Sequence, residues 1–226
     1  MSNIVDLINL ADSAFPTGAY GHSWGLEWAI QQGLVSSGPD LENWLLSSTH
    51  QGFFTLDVRA AALAWTKAKS WSLERAKALN AELSAFRPGQ TQRAAQAQTG
   101  RSFVRSVGVS YPGTLPSEMT TWLSEDFEAV QFCLAWGWIG RWLDLELKPW
   151  MEALTFAYWR QSIQVGIRLI PLGQDEAFAI LGKLSRKGWL KRDWESEVSR
   201  PWQSLTPIAD AAGLGHANLE RRSFRS

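Results

Sequence analysis

Residues 129–140 run for twelve positions without a charge, and this stretch limits the fold more than any other. Val130, Leu134 and Trp138 continue a stripe begun by Leu123 and Phe127 at helical spacing. Phe132, Cys133 and Trp136 make the remaining faces apolar too. A helix apolar on every side has no face for water and belongs at the centre of a fold. Gly137 and Gly140 lie on it, so neighbouring backbones can cross it closely. Its length falls short of the about 20 apolar residues a bilayer span requires, so no membrane is expected. The predicted helix starts at Ser117 and Glu118 and runs through Trp138 without a break.

The rest of the chain also reads as helix, because Ala, Leu, Gln, Glu and Arg dominate and no period-two alternation persists. Ile4, Val5, Ile8 and Leu10 predict a short first helix. Asp40 is the predicted cap of a long one carrying Leu41, Trp44, Leu45, Phe53, Leu56, Ala60 and Leu63, kinked at Gly52. Ser72 opens another that Arg87-Pro88-Gly89 closes, and residues 90–107 form a helix rich in small residues. Tyr111 to Pro116 is a break. A further helix follows Pro149 and stops before Pro171, the next opens at Asp175 and ends near Lys187-Gly188, and residues 205–214 make a last short one. The expectation is all-α: a single globular domain, residues 1–226, orthogonal or bundle-like, of roughly eight to ten helices, with residues 215–226 a flexible tail.

Composition excludes several classes. Lys plus Arg equals Asp plus Glu at 22 each, so no overall field draws the chain to nucleic acid. A lone cysteine, Cys133, can form neither an internal disulfide nor a Cys-x-x-Cys metal site, and its apolar setting makes it an inert thiol. With no basic-then-apolar leader at Met1, the expected location is the cytoplasm. Fourteen tryptophans need many concave sites, as core residues or as interface anchors.

Catalytic patterns fail one by one. The Gly182-Lys183 pair lacks the leading glycine and the following hydroxyl of a phosphate loop, having Ala177 and Leu184 there. His22, His50 and His216 have no partner at metal-ligand spacing. Asp144 with Glu146, and Glu195 with Glu197, read as solvated faces rather than acid/base pairs.

What stands out is a glycine-punctuated loop, Asp12 to Glu27, entering a helix, with Pro16 and Gly18 for a turn and Tyr20, His22 and Trp24 crowded together. The far end, Glu220-Arg-Arg-Ser-Phe-Arg-Ser226, sets three guanidiniums around Phe224 on a segment with no core-forming pattern. Such an end is either a frayed terminus or a segment that orders on docking, with Phe224 as anchor. A second basic cluster, Arg186-Lys187 with Lys191-Arg192, flanks Trp189.

The loop, read as Pro16, Gly18, Tyr20, Ser23, Gly25, Leu26 and Glu27, resembles the signature of the urease accessory protein UreF family. So do the block Ile167-Arg-Leu-Ile-Pro-Leu-Gly-Gln174, the ending from His216 to Ser226 and, more weakly, Gln98 to Arg105. The resemblance implies a helical scaffold that binds UreD (also called UreH), recruits the UreG GTPase and so delivers Ni²⁺ to apo-urease, commonly as a homodimer. It implies no catalysis and no cofactor bound directly. Partner-binding residues carried over are Gly18, Tyr20, His22, Ser23, Glu27, Arg168, His216, Arg222, Phe224, Arg225 and Ser226. It leaves open whether Glu27 or a tail arginine acts on the GTPase itself. The tail departs from the family pattern at Ala217, Glu220 and Ser223. Two rival classes are a helical enzyme using His22 as base in a pocket near Tyr20 and Trp24, and a nucleic-acid module using the two arginine clusters.

Overall fold

A computed structural model describes residues 4–70, 72–125, 130–187 and 192–225. All regular structure among the described residues is helical, as expected. In order come α1 (Ile4–Ala11), α2 (Leu26–Gln31), α3 (Gly38–Ser48), a π-type stretch (Thr49–Val58) and α4 (Arg59–Lys67). These are followed by α5 (Leu73–Ala85), α6 (Gln90–Ser110), α7 (Ser117–Glu125) and α8 (Phe132–Trp142). The chain finishes with α9 (Leu147–Leu169), α10 (Gln174–Arg186), α11 (Trp194–Glu197) and α12 (Pro207–Gly215).

Side-chain caps begin α3, α5 and α11. Ser37, not Asp40, caps α3 by accepting from the Asp40 backbone N–H, and Pro39 sits in the first turn. Asp40 closes the box in return, accepting from Ser36 Oγ at 3.0 Å and Ser37 Oγ at 2.7 Å. Ser72 caps α5 as predicted. Gly52 does not break the long helix: α3 passes into α4 through wider π-type turns. Along these turns the carbonyls of Gln51 and Thr55 accept from Leu205 N and Gln203 N of an extended strap, at 2.9 and 3.2 Å. Buried Arg59 fastens the strap's start through Glu197 at 2.6 Å.

The predicted helix from Ser117 through Trp138 is two helices. Gln131 is extended (φ −58°, ψ 136°) and precedes α8. Its backbone N–H donates to Asn80 Oδ1 at 2.8 Å, and its side chain accepts from Arg87 Nε at 3.2 Å. These bonds, from Asn80 on α5 and from Arg87 in the connection to α6, override the helical pattern of the sequence across the join. Phe127, residues 188–191 and Ser226, all named in the sequence reading, lie outside the described residues.

α8 is the centre that its composition predicts, with residues 133–140 all buried between α4, α6 and α9. Its closest crossing is with α4, where Ala60, Ala61, Ala62 and Ala64 are fully buried. A Cβ on Gly137 would lie 2.1 Å from the Ala61 carbonyl oxygen, so only glycine fits there. On the other side Trp136 and Trp150 stack at 3.8 Å between centroids. Each indole N–H donates to the other residue's carbonyl, at 3.1 and 2.7 Å, so two large rings are buried with no polar atom stranded. The tryptophans are therefore chiefly core: Trp136, Trp150, Trp159 and Trp194 are fully buried. No helix among the described residues is long and apolar enough to cross a membrane.

Candidate functional site

The two ends of the chain meet at Glu27. The loop before α2 turns at Gly18 (φ 73°), which is exposed, and continues through Tyr20, 68 % exposed. It then buries His22 and Ser23 and enters the helix through two consecutive left-handed residues, Trp24 (φ 54°) and Gly25 (φ 88°). A tryptophan with positive φ costs about 1 kcal/mol or more and persists only where its surroundings enforce it. At the next position α12 packs against the turn: a Cβ on Gly25 would sit 3.0 Å from the Ala212 Cβ. From α9, Gln161 Nε2 donates to the carbonyls of Ala19 and, at 2.8 Å, His22, fastening the loop from outside.

Glu27 occupies the first turn of α2 and is fully buried. A carboxylate is favoured at a helix N-terminus, but burial at this depth needs several donors. The C-terminal segment supplies them. Ser223 N donates to Glu27 Oε1 at 2.6 Å, and Phe224 N to Oε2 at 3.1 Å. The fully buried His216 places Nε2 3.1 Å from Oε2. Arg225 N donates to the Gly21 carbonyl at 2.8 Å, and Gln31 Nε2 to the Arg221 carbonyl at 3.0 Å.

The end of the chain, predicted to be a loose tail, is thus packed down, and Phe224 is only 5 % exposed. Rather than a free anchor waiting for a partner, Phe224 is an internal plug, with the Arg168 guanidinium 5.7 Å above its ring. Arg222 folds back on the carbonyls of Leu219, at 3.3 Å, and Ala217. The docking bonds reach backbone N–H groups of residues 223 and 224, so the departure at Ser223 leaves them intact. Ala217 and Glu220 are exposed. Glu27 itself presents no surface.

The site residues expected from sequence therefore divide. Glu27, His216, Phe224, Ser23 and His22 form a buried joint; Gly18, Tyr20, Arg168, Arg222 and Arg225 lie on its outer side. Gln161 and Gln31 were not foreseen. In the sequence Gln161 sits among Arg160, Ser162 and Gln164 in the second half of α9, where nothing marks it out.

Burial, then the charges of Arg225 and His216, push His22 down from 6.5 to about 4. The folded joint therefore favours neutral His22, while the unfolded chain takes up its proton near pH 6.5. Stability from this group is full above that value and is lost as the pH falls toward 4. We expect the His22→Gln chain to lose less stability than the wild type between pH 7 and 4.5, by about 2 kcal/mol. Urea denaturation at the two pH values measures this, and parallel losses would exclude His22 as the sensor.

Neither rival class gains from the geometry. His22 does not line the neighbouring cavity, although Tyr20 and Trp24 do. Burial raises the Cys133 thiol to about 12, which suits a core residue. In the second basic cluster Lys187 reaches Glu42 at 4.0 Å, Arg192 reaches Glu197 at 3.4 Å and Arg186 bonds the Gly182 carbonyl. Among the described residues no three His, Cys, Asp or Glu side chains gather as metal ligands.

The described residues thus form an all-helical body whose loop before α2 and C-terminal segment are joined through buried Glu27, with Tyr20, Arg168, Arg222 and Arg225 exposed. The UreF family model matches residues 35–185. The chain is also 29 % identical over 224 residues to the urease accessory protein UreF of Citrobacter koseri, covering 97 % of this chain and 96 % of that one. It is 27 % identical over 221 residues to that of Dechloromonas aromatica, with the same coverage. The likeness to the Nostoc protein is 28 % over 182 residues, covering 80 % of this chain and 77 % of that one. The chain belongs to the UreF family; it is a urease accessory protein and not an enzyme.

Proposed function

We propose that this chain is a scaffold for nickel insertion into apo-urease, binding UreD (UreH) and recruiting the UreG GTPase, and that it does so as a homodimer. Nickel is cargo of the assembled complex. The observation that carries the reading is the Glu27 joint, which fuses the loop before α2 and the C-terminal segment into one surface. Tyr20 supplies an exposed aromatic edge, and the exposed Arg168, Arg222 and Arg225 of the joint supply guanidiniums that fit an acidic, aromatic-lined partner. Because the tail is already ordered, binding avoids the about 2–5 kcal/mol that folding a loose segment onto a partner costs.

Function then consists of positioning. The scaffold holds the GTPase against the UreD-bound urease so that nucleotide hydrolysis and metal release coincide in place. In cells carrying the urease subunits, UreD and UreG, omission of this chain is expected to yield urease nearly devoid of nickel by elemental analysis. Equal nickel content with and without it would overturn the proposal.

A further inference from the structure

Beside the joint lies a cavity of about 470 Å³ that the scaffold role leaves unused. Phe53, Leu56, Phe132, Trp136, Leu154 and Tyr158 contribute an aromatic and aliphatic wall. Asp57, Arg87 and Gln96 contribute a polar one. Arg87 Nη2 bonds Asp57 Oδ1 at 2.6 Å, and Gln96 Nε2 donates to the same oxygen at 3.4 Å. That bond fixes which end of the amide is which, leaving Gln96 Oε1 as an acceptor. This oxygen is buried without a hydrogen-bond partner, on a side chain only 6 % exposed. A stranded buried acceptor costs about 1–3 kcal/mol unless something donates to it.

The charges in the lining cancel. Three arginines, Arg87, Arg160 and Arg168, face three aspartates, Asp12, Asp57 and Asp210. Nothing in this balance offsets the desolvation of a charged guest. The volume lies in the usual range for small-molecule pockets, as does the mixture of flat apolar walls with a few polar groups.

We propose that this cavity is a binding pocket for a small uncharged molecule with an aromatic body and one N–H or O–H donor, which Gln96 Oε1 accepts. The ring lies among Phe53, Phe132 and Trp136, and the donor end meets Gln96 once its amide, whose oxygen exposes under 1 Å² in the empty cavity, turns toward the guest. Tyr20 and Phe224 also line the cavity, so the guest shares a wall with the surface assigned to protein partners.

Titration calorimetry of the full chain with indole, and with N-methylindole as the same body lacking its donor, tests this. Indole is expected to saturate one site per chain, with N-methylindole at least about tenfold weaker. Gln96→Leu is expected to bring the two probes to equal affinity. Ala157→Phe, which fills space from α9, is expected to abolish both. No saturable heat from either probe would mean the cavity holds water only and would overturn the proposal. So would equal binding of the two probes by the wild-type chain, a result that needs no variant to fold, or undiminished binding by Ala157→Phe. None of these results depends on UreD or nickel, so failure here leaves the scaffold reading standing and failure there leaves the pocket standing.

Discussion

Replacing Glu27 with alanine is expected to free the last ten residues of the chain while the helical body stays folded. The substitution removes the acceptor of two backbone N–H groups and the partner of His216, all within one buried joint. Hydrogen bonds to an ionised acceptor contribute about 1.5–3 kcal/mol each, and donors left dry are costlier still. Water can reach the segment once it lifts, so the net loss is about 3 kcal/mol, a hundredfold rise in the open population. Hydrogen exchange at the amides of Ser223, Phe224 and Arg225 should accelerate by that factor, with α4, α8 and α9 unchanged. Unchanged protection at those amides would mean that burial of Phe224 alone holds the segment.

The second large effect lies in the core. Gly137→Ala places a methyl group 2.1 Å from the Ala61 carbonyl, a backbone atom of a helix whose facing residues are themselves fully buried alanines. No side chain can rotate away, so α4 and α8 must separate and the Trp136–Trp150 stack behind them must shift. Overpacking of this kind costs about 3 kcal/mol. For a chain of this size that lowers the melting temperature by roughly 6–12 °C. Circular dichroism melts provide the comparison, and an unchanged midpoint would show that the crossing is looser than described.

The contrast between these residues shows what a single sequence discloses. Gly137 was legible because the apolar run around it could only be central, and a glycine there could only serve a close crossing. The helix periodicities of α6 and α9 were legible for the same reason: each is written locally, in residues three and four apart. The break at Gln131 was not, since its cause is a hydrogen bond to Asn80, 51 residues earlier. The joint was legible only as two separate stretches. Glu27 and His216 stand 189 positions apart, and nothing in either segment says that one accepts from the other. That Phe224 is buried was not legible, because a lone aromatic among arginines carries no periodicity to mark it. The Asp57, Arg87 and Gln96 cluster was invisible for a related reason: each residue comes from a different element, and each looks like ordinary helix-surface polarity on its own.

Both the loop and the tail contribute to the proposed partner surface, and Glu27 accepts three of the bonds that join them while touching no solvent. That arrangement separates two explanations for any loss of binding, since the substituted residue cannot itself be a contact. The most direct measurement is capture of UreD from a co-expressing strain by the wild-type chain and by Glu27→Ala, with helical content checked by circular dichroism. The joint predicts that the wild type retains UreD and that the variant, equally helical, does not. Retention of UreD at the wild-type level by a variant whose tail has been shown to exchange freely would contradict it.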